Sequence, residues 1–289
     1  MLAAASGVGF GVFQAVNVRA MRSGGADPFA SMFVQVTIAA VLLVAVTAAS
    51  GDLLDAFDAP PWALADFALA GLVHFLGGWS LLNLSQKRIG AARTSPLLTT
   101  APVFGVALAL ITVGQVPGAV ALGAIALMVV GAYVVAARGG LEAVGLADAL
   151  PGLGCAFMWA LSPIFIVRGL RGLDSPLVGL TIGLLVSVAA FAPAYAVWRG
   201  SSRALLAVSG AVGPLKLLAG VLVALATWWR WAAIEDASVG AVLALGLLSV
   251  PVVLFLAPVI AGRHVEHVTP GLWAGAGLVV SGALILVAA

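Results

Sequence analysis

Asparagine, glutamine, histidine and arginine are rare inside long apolar runs, and in this chain they fall at helical spacing. Phe10, Gln14 and Asn17 sit at i, i+4 and i+7, so a helix would carry them on one face. Phe75, Trp79, Asn83 and Gln86 share a face in the same way. Cys155, Trp159 and Ser162 repeat the first spacing later in the chain, and Ala224, Trp228, Ala232 and Glu235 repeat the second. Faces that mix aromatic rings with a few hydrogen-bonding groups suit a cavity for a small amphipathic molecule. Gln14, Asn17, Trp79, Asn83, Trp159, Ser162 and Trp228 are therefore candidate binding residues. The structural alternatives are interhelical hydrogen bonding for Gln14 and Asn17 and a place in an interfacial aromatic belt for Trp79 and Trp228.

Arg230 lies among Thr227, Trp228, Trp229 and Trp231. A guanidinium there can pair with a carboxylate or phosphate on a solute or reach out to the membrane surface. His74 shares a face with Gly71, Gly78 and Ser85, which points to tight helix packing; proton coupling is its functional alternative. Pro102 and Pro251 fall inside apolar spans, where each would remove a backbone hydrogen bond and kink its helix, so both are candidate hinges. Thr99 and Thr100 stand beside Pro102 and can satisfy freed backbone groups, and Thr99 joins the candidate binding set.

Other chemistries lack their residues. Asp66, Asp148 and Glu235 lie toward span ends, which disfavours proton exchange at a midplane carboxylate. A phosphate-cradling glycine loop is missing, which excludes an ATPase. His264, Glu266 and His267 could hold a metal but read better as a hydrated loop, so we expect no metal site, no cofactor and no enzymatic activity. The single cysteine, Cys155, sits in an apolar span and reads as a buried hydrophobe.

The elements that must hold these residues are membrane spans. The 289 residues are 63% hydrophobic and 8% charged, with a mean hydropathy of +1.20, against about 25% charged in soluble domains. Lipid must therefore be the solvent for most of the chain. The net charge of +2 gives no basic patch for nucleic acid. Apolar runs long enough to cross a bilayer predict helices near 2–20, 28–50, 61–84, 91–113, 117–137, 147–167, 175–198, 213–234, 238–260 and 270–288. The N-terminal run lacks a basic leader and reads as the first span, not as a signal peptide.

The two halves repeat one another. Gly7 and Gly9 match Gly152 and Gly154; Trp79 matches Trp228; Pro102 matches Pro251; Gly90-Ala91 matches Gly240-Ala241; Pro117-Gly118 matches Pro270-Gly271; Gly131-Ala132 matches Gly282-Ala283. Chance similarity between apolar runs would match leucine and alanine before it matched glycine and proline. Residues 1–138 and 146–289 thus read as two five-helix repeats. Five being odd, the second would be inverted in the membrane, an arrangement that puts a binding site between the halves beside paired helix breaks.

The run Gly90-Ala-Ala-Arg-Thr-Ser-Pro-Leu-Leu-Thr-Thr-Ala-Pro102, the turn at Gly114-Gln115 and the helix at Gly118–Ala136 resemble an EamA domain. So do Gly240 to Pro251, the turn at Gly262–Thr269 and the helix from Pro270. The pair is similar to the ten-helix members of the drug/metabolite transporter superfamily. The resemblance implies an all-α polytopic protein in which helices one, three, four, six, eight and nine line a central cavity. It also implies a secondary transporter that moves a small organic metabolite, such as an amino acid or an aromatic compound, by alternating access. The expected setting is a bacterial cytoplasmic membrane, with a monomer embedded in the lipid bilayer. A membrane-embedded lipid-modifying enzyme and a non-transporting assembly subunit are the alternatives.

Orientation is contested. The resemblance implies both ends in the cytoplasm. The loops on the N-terminal side, however, would carry only Arg168, Arg171 and Arg230, whereas the opposite side would carry Arg19, Arg22, Lys87, Arg88, Arg93, Arg138, Arg199, Arg203, Lys216 and Arg263. The positive-inside rule then favours both ends outside.

Overall fold

The computed structural model describes residues 1–23, 27–113, 116–138, 145–199, 213–236, 242, 245–264 and 266–288, and their regular elements are all helical. In chain order these are α1 (Leu2–Ser23), α2 (Pro28–Ser50), a 3-10 turn (Asp52–Leu54), α3 (Asp55–Asp58), α4 (Pro61–Gly71), a π-helical segment (Leu72–Trp79) and α5 (Ser80–Ile89). There follow α6 (Ala91–Leu98), α7 (Ala101–Val113), α8 (Ala119–Arg138), α9 (Leu146–Leu170), α10 (Pro176–Arg199), α11 (Pro214–Asp236), α12 (Ser249–Ile260) and α13 (Pro270–Ala288).

Local signals set several boundaries. Asp27 caps α2 by accepting hydrogen bonds from the N–H groups of Phe29 (2.8 Å) and Ala30 (3.4 Å), with Pro28 as the first helical residue. Gly51, at φ 87°, ends it.

Among the described residues, six helices are long and apolar enough to cross a membrane: Pro28–Ser50, Pro61–Ile89, Ala147–Leu170, Pro176–Val197, Pro214–Ile234 and Pro270–Ala288. Ala119–Val135 and Ser249–Ile260 are shorter apolar helices. Helix α1 is long but is diluted by Gln14, Asn17, Arg19 and Arg22. Apolar side chains such as Ile111, Tyr133, Val197 and Val259 point outward, as lipid-facing residues would. The chain is an integral membrane protein.

The expected span at 91–113 is two helices. Thr99 and Thr100 form a turn between α6 and α7, their hydroxyls donating to the carbonyls of Pro96 and Leu97, each at 2.7 Å. Pro102 therefore stands in the first turn of α7, where its missing N–H is no loss, and does not kink a helix interior. Pro251 likewise stands in the first turn of α12, after a turn at Leu247 and Leu248. The expected interior kinks are full breaks placed just before each proline. Another interruption, the π segment, lies where the sequence reads as continuous helix.

Helices from the two halves interlock. Helix α1 packs against α11 and α12, α4 against α9 and α10, and α8 against α13. Gly71 meets the backbone of Gly183, so that a Cβ on Gly71 would collide with it. Some of these approaches recur at glycines that match between the two halves of the sequence. A Cβ on Gly131 would lie 2.8 Å from the Gly275 oxygen, and one on Gly282 2.8 Å from the Ala124 oxygen. Gly7 lies against Gly246, and its counterpart Gly152 against Leu97.

Candidate functional site

A cavity of about 70 Å3 opens where the halves meet. A water needs about 10–15 Å3 by a comparable measure, so several waters or one small solute group fit. One wall comes from α1 and the π segment (Ser6, Phe10, His74), a second from the α6–α7 break (Leu98, Thr99, Pro102). Trp159 of α9, Thr227 and Arg230 of α11, and Ser249 of α12 complete it. Both helix breaks thus border the same space.

The aromatic wall is built across the seam. The His74 and Trp159 rings are stacked, with centroids 5.5 Å apart and planes at 14°. Phe10 meets Trp159 edge-on at 5.1 Å. His74 Nδ1 lies 2.9 Å from the Ser162 hydroxyl. The π segment, whose wider turn is common at functional sites, carries His74 on this wall. Gly78, on the same face, lets Trp159 approach: a Cβ there would lie 2.7 Å from the indole nitrogen.

The carboxamides form a separate, buried cluster. Asn17 donates to Asn83 and to Gln86, each at 2.7 Å, and accepts from Gln35. Asn83 donates to the Pro28 carbonyl at 3.2 Å, Gln86 to Gln14 at 3.2 Å, and Gln14 to the Ser95 hydroxyl at 3.5 Å. All five carboxamides are fully buried. Because amides carry both donors and acceptors, they saturate one another and tie α1, α2, α5 and α6 together.

The candidate binding residues therefore divide. Thr99, Trp159 and Arg230 line the cavity, as do His74 and Pro102. Gln14, Asn17 and Asn83 lie in the amide cluster. Ser162 stands behind His74 and does not line the cavity. Trp79 is buried against Phe13 and Phe75, with centroids at 6.4 and 4.8 Å, and Trp228 packs on the main core; neither lines the cavity. Pro251 lies beyond the lining. Phe10, on the face of Gln14 and Asn17, does line the cavity. Ser6, Thr227 and Ser249 were not among the candidates; their signal would have been small hydroxyl residues facing the helix breaks.

The loop reading of Glu266 needs correction. Its side chain is buried and accepts hydrogen bonds from the N–H groups of Ala91 (2.8 Å) and Ala92 (3.1 Å), capping α6 from the α12–α13 loop. Gly90, at φ 80°, gives it room, since a Cβ there would lie 2.7 Å from the carboxylate. His264 and His267 are exposed, so this trio does not converge on a metal, and no group of metal-ligating residues occurs among the described residues.

The described residues thus form a multi-helix membrane fold with a mixed polar and aromatic cavity between interlocked halves. Residues 1–137 match the EamA-like transporter family, which lies within the drug/metabolite transporter superfamily. A solved protein crystal structure shares the fold at a TM-score of 0.61 and 19% identity, over 98% of this chain and 95% of that one. No curated protein matches.

Proposed function

We propose that the protein is a ten-span secondary transporter that carries a small organic metabolite through the seam cavity by alternating access. Its repeats, residues 1–138 and 146–289, would form an inverted pair. The observation that carries this reading is the convergence of both helix breaks, at Thr99–Thr100 and Leu247–Leu248, on one cavity walled by both halves. Broken helices beside a midplane site are how inverted-repeat carriers expose backbone to a solute. The approaches made twice, Gly131 with Gly275 and Gly282 with Ala124, support a two-fold relation between the halves.

Proteoliposome flux tests the reading. A solute carried by the wild type and not by Thr99→Phe, which would fill the cavity, supports it. Equal flux through both proteins would take the cavity out of the solute's path, and no flux above that of empty liposomes would favour the enzyme or assembly-subunit alternatives. We place the protein in a bacterial cytoplasmic membrane, as a monomer with both ends outside. With Arg230 in the cavity, the N-terminal side keeps only Arg168 and Arg171 of its loop cations. Activity of a cytoplasmic reporter fused to the C-terminus would reverse that orientation.

A further inference from the structure

We propose that the cavity takes small monocarboxylates with an apolar or aromatic body, held through their carboxylate by Arg230. This rests on the transporter reading and names the substrate class of the same site.

Arg230 is the only full charge on the cavity wall among the described residues. The ion pairs found among those residues join Arg88 to Asp148 and Arg168 to Asp66, and no described carboxylate pairs with Arg230. A guanidinium stays protonated at any physiological pH, and a charge in a low-dielectric site is costly until something opposes it. A cavity open to solutes can supply that counter-charge.

Three of the four cavity hydroxyls sharpen the choice; Ser249 is the fourth. Ser6 donates to the Ala226 carbonyl, Thr99 to that of Pro96 and Thr227 to that of Val223, each at 2.7 Å. Their protons are spent on backbone, so they offer a solute lone pairs only. An anion finds its charged donors in the forked guanidinium of Arg230, with the Trp159 indole N–H, which has no partner among the described residues, as a further neutral donor. One guanidinium matches one carboxylate, whereas a phosphate dianion would keep a surplus negative charge in the membrane. The stacked Trp159 and His74 rings and the edge of Phe10 give the rest of the solute an aromatic wall.

The test compares benzoate, its neutral isostere benzamide, and phenyl phosphate. Binding is read from saturable thermal stabilisation of the purified protein, and transport from uptake of radiolabelled benzoate into proteoliposomes. We expect benzoate to stabilise and to be taken up, benzamide to do neither, and phenyl phosphate to bind more weakly than benzoate. Arg230→Lys should weaken benzoate binding about tenfold or more, and Arg230→Gln should abolish it. The wild-type comparison of benzoate with benzamide needs no variant, so misfolding of either one cannot mask the result. Equal responses to benzoate and benzamide, no response to benzoate, stronger binding of phenyl phosphate, or full benzoate binding by Arg230→Gln would each overturn the proposal. Benzoate bound through Arg230 but never carried across would overturn the transporter reading and leave the site. A neutral metabolite carried while benzoate is ignored would do the reverse.

Discussion

The imidazole of His74 lies flat on the indole of Trp159, 5.5 Å between centroids. One ring comes from the π segment of the N-terminal half and the other from α9 of the C-terminal half, so the stack bridges the seam and walls the cavity on its aromatic side. Trp159→Ala removes the bridge and widens the space, whereas Trp159→Phe keeps a ring face. The expected order of solute flux per folded molecule is wild type, then Phe, then Ala, with Ala down by about two- to tenfold, since an aromatic contact is worth about 0.5–1.5 kcal/mol beyond its buried area. Flux unchanged in Trp159→Ala would remove Trp159 from the solute's path.

The amide cluster predicts a different kind of defect. Asn17→Leu strands donors or acceptors on Gln35, Asn83 and Gln86 at once. We expect a loss of about 1–3 kcal/mol, measured by unfolding in detergent micelles, with solute affinity of the folded fraction unchanged. Weakened affinity at wild-type stability would return Asn17 to the binding set.

Glu266 should give the protein a pH-dependent stability. Burial raises its carboxyl above the ordinary 4.5, against the lowering pull of the Ala92 and Ala91 N–H groups and of Arg22 and Arg93. A folded-state value above the unfolded one means that its contribution is complete below pH 4.5 and is lost as pH rises through the folded value. The melting temperature of the wild type, relative to Glu266→Gln, should therefore fall between pH 4.5 and the folded value. Parallel profiles, or a difference of opposite slope, would contradict this.

The contact of α4 with α10 depends on a missing side chain. Gly71→Val would press a branched group against the Gly183 backbone, and we expect a stability loss of about 1–3 kcal/mol from overpacking, or failure to fold. Gly105→Ala is the control. Nothing lies within 4 Å of a Cβ there, and alanine is the better helix former by about 1 kcal/mol. Equal behaviour of the two variants in an unfolding assay would argue against the close approach.

Much of the fold was legible because lipid imposes a simple rule: apolar runs become helices, and glycine and proline punctuate them. The place of each helix break was not legible. Pro102 and Pro251 signal that a helix cannot continue, but the chain turns before each proline and lets it open the next helix. The site was legible as a set of polar residues but not as a partition. Spacing puts Gln14 and Asn17 on one face, and it does not say whether that face meets a cavity or other amides. Gln35, a lone amide in the apolar run of α2, was the overlooked partner that closes the cluster. Glu266 was misread because sequence cannot distinguish a wet loop from one folded back on a helix terminus.

The central claim is that solute passes through the seam cavity. The most direct measurement loads proteoliposomes with a mixture of small metabolites and follows their efflux by mass spectrometry, for wild type, Thr99→Phe and empty liposomes. At least one solute should leave faster through the wild type than from empty liposomes and return to the empty-liposome rate with Thr99→Phe. Equal efflux of every such solute from the wild type and from a folded Thr99→Phe would contradict it.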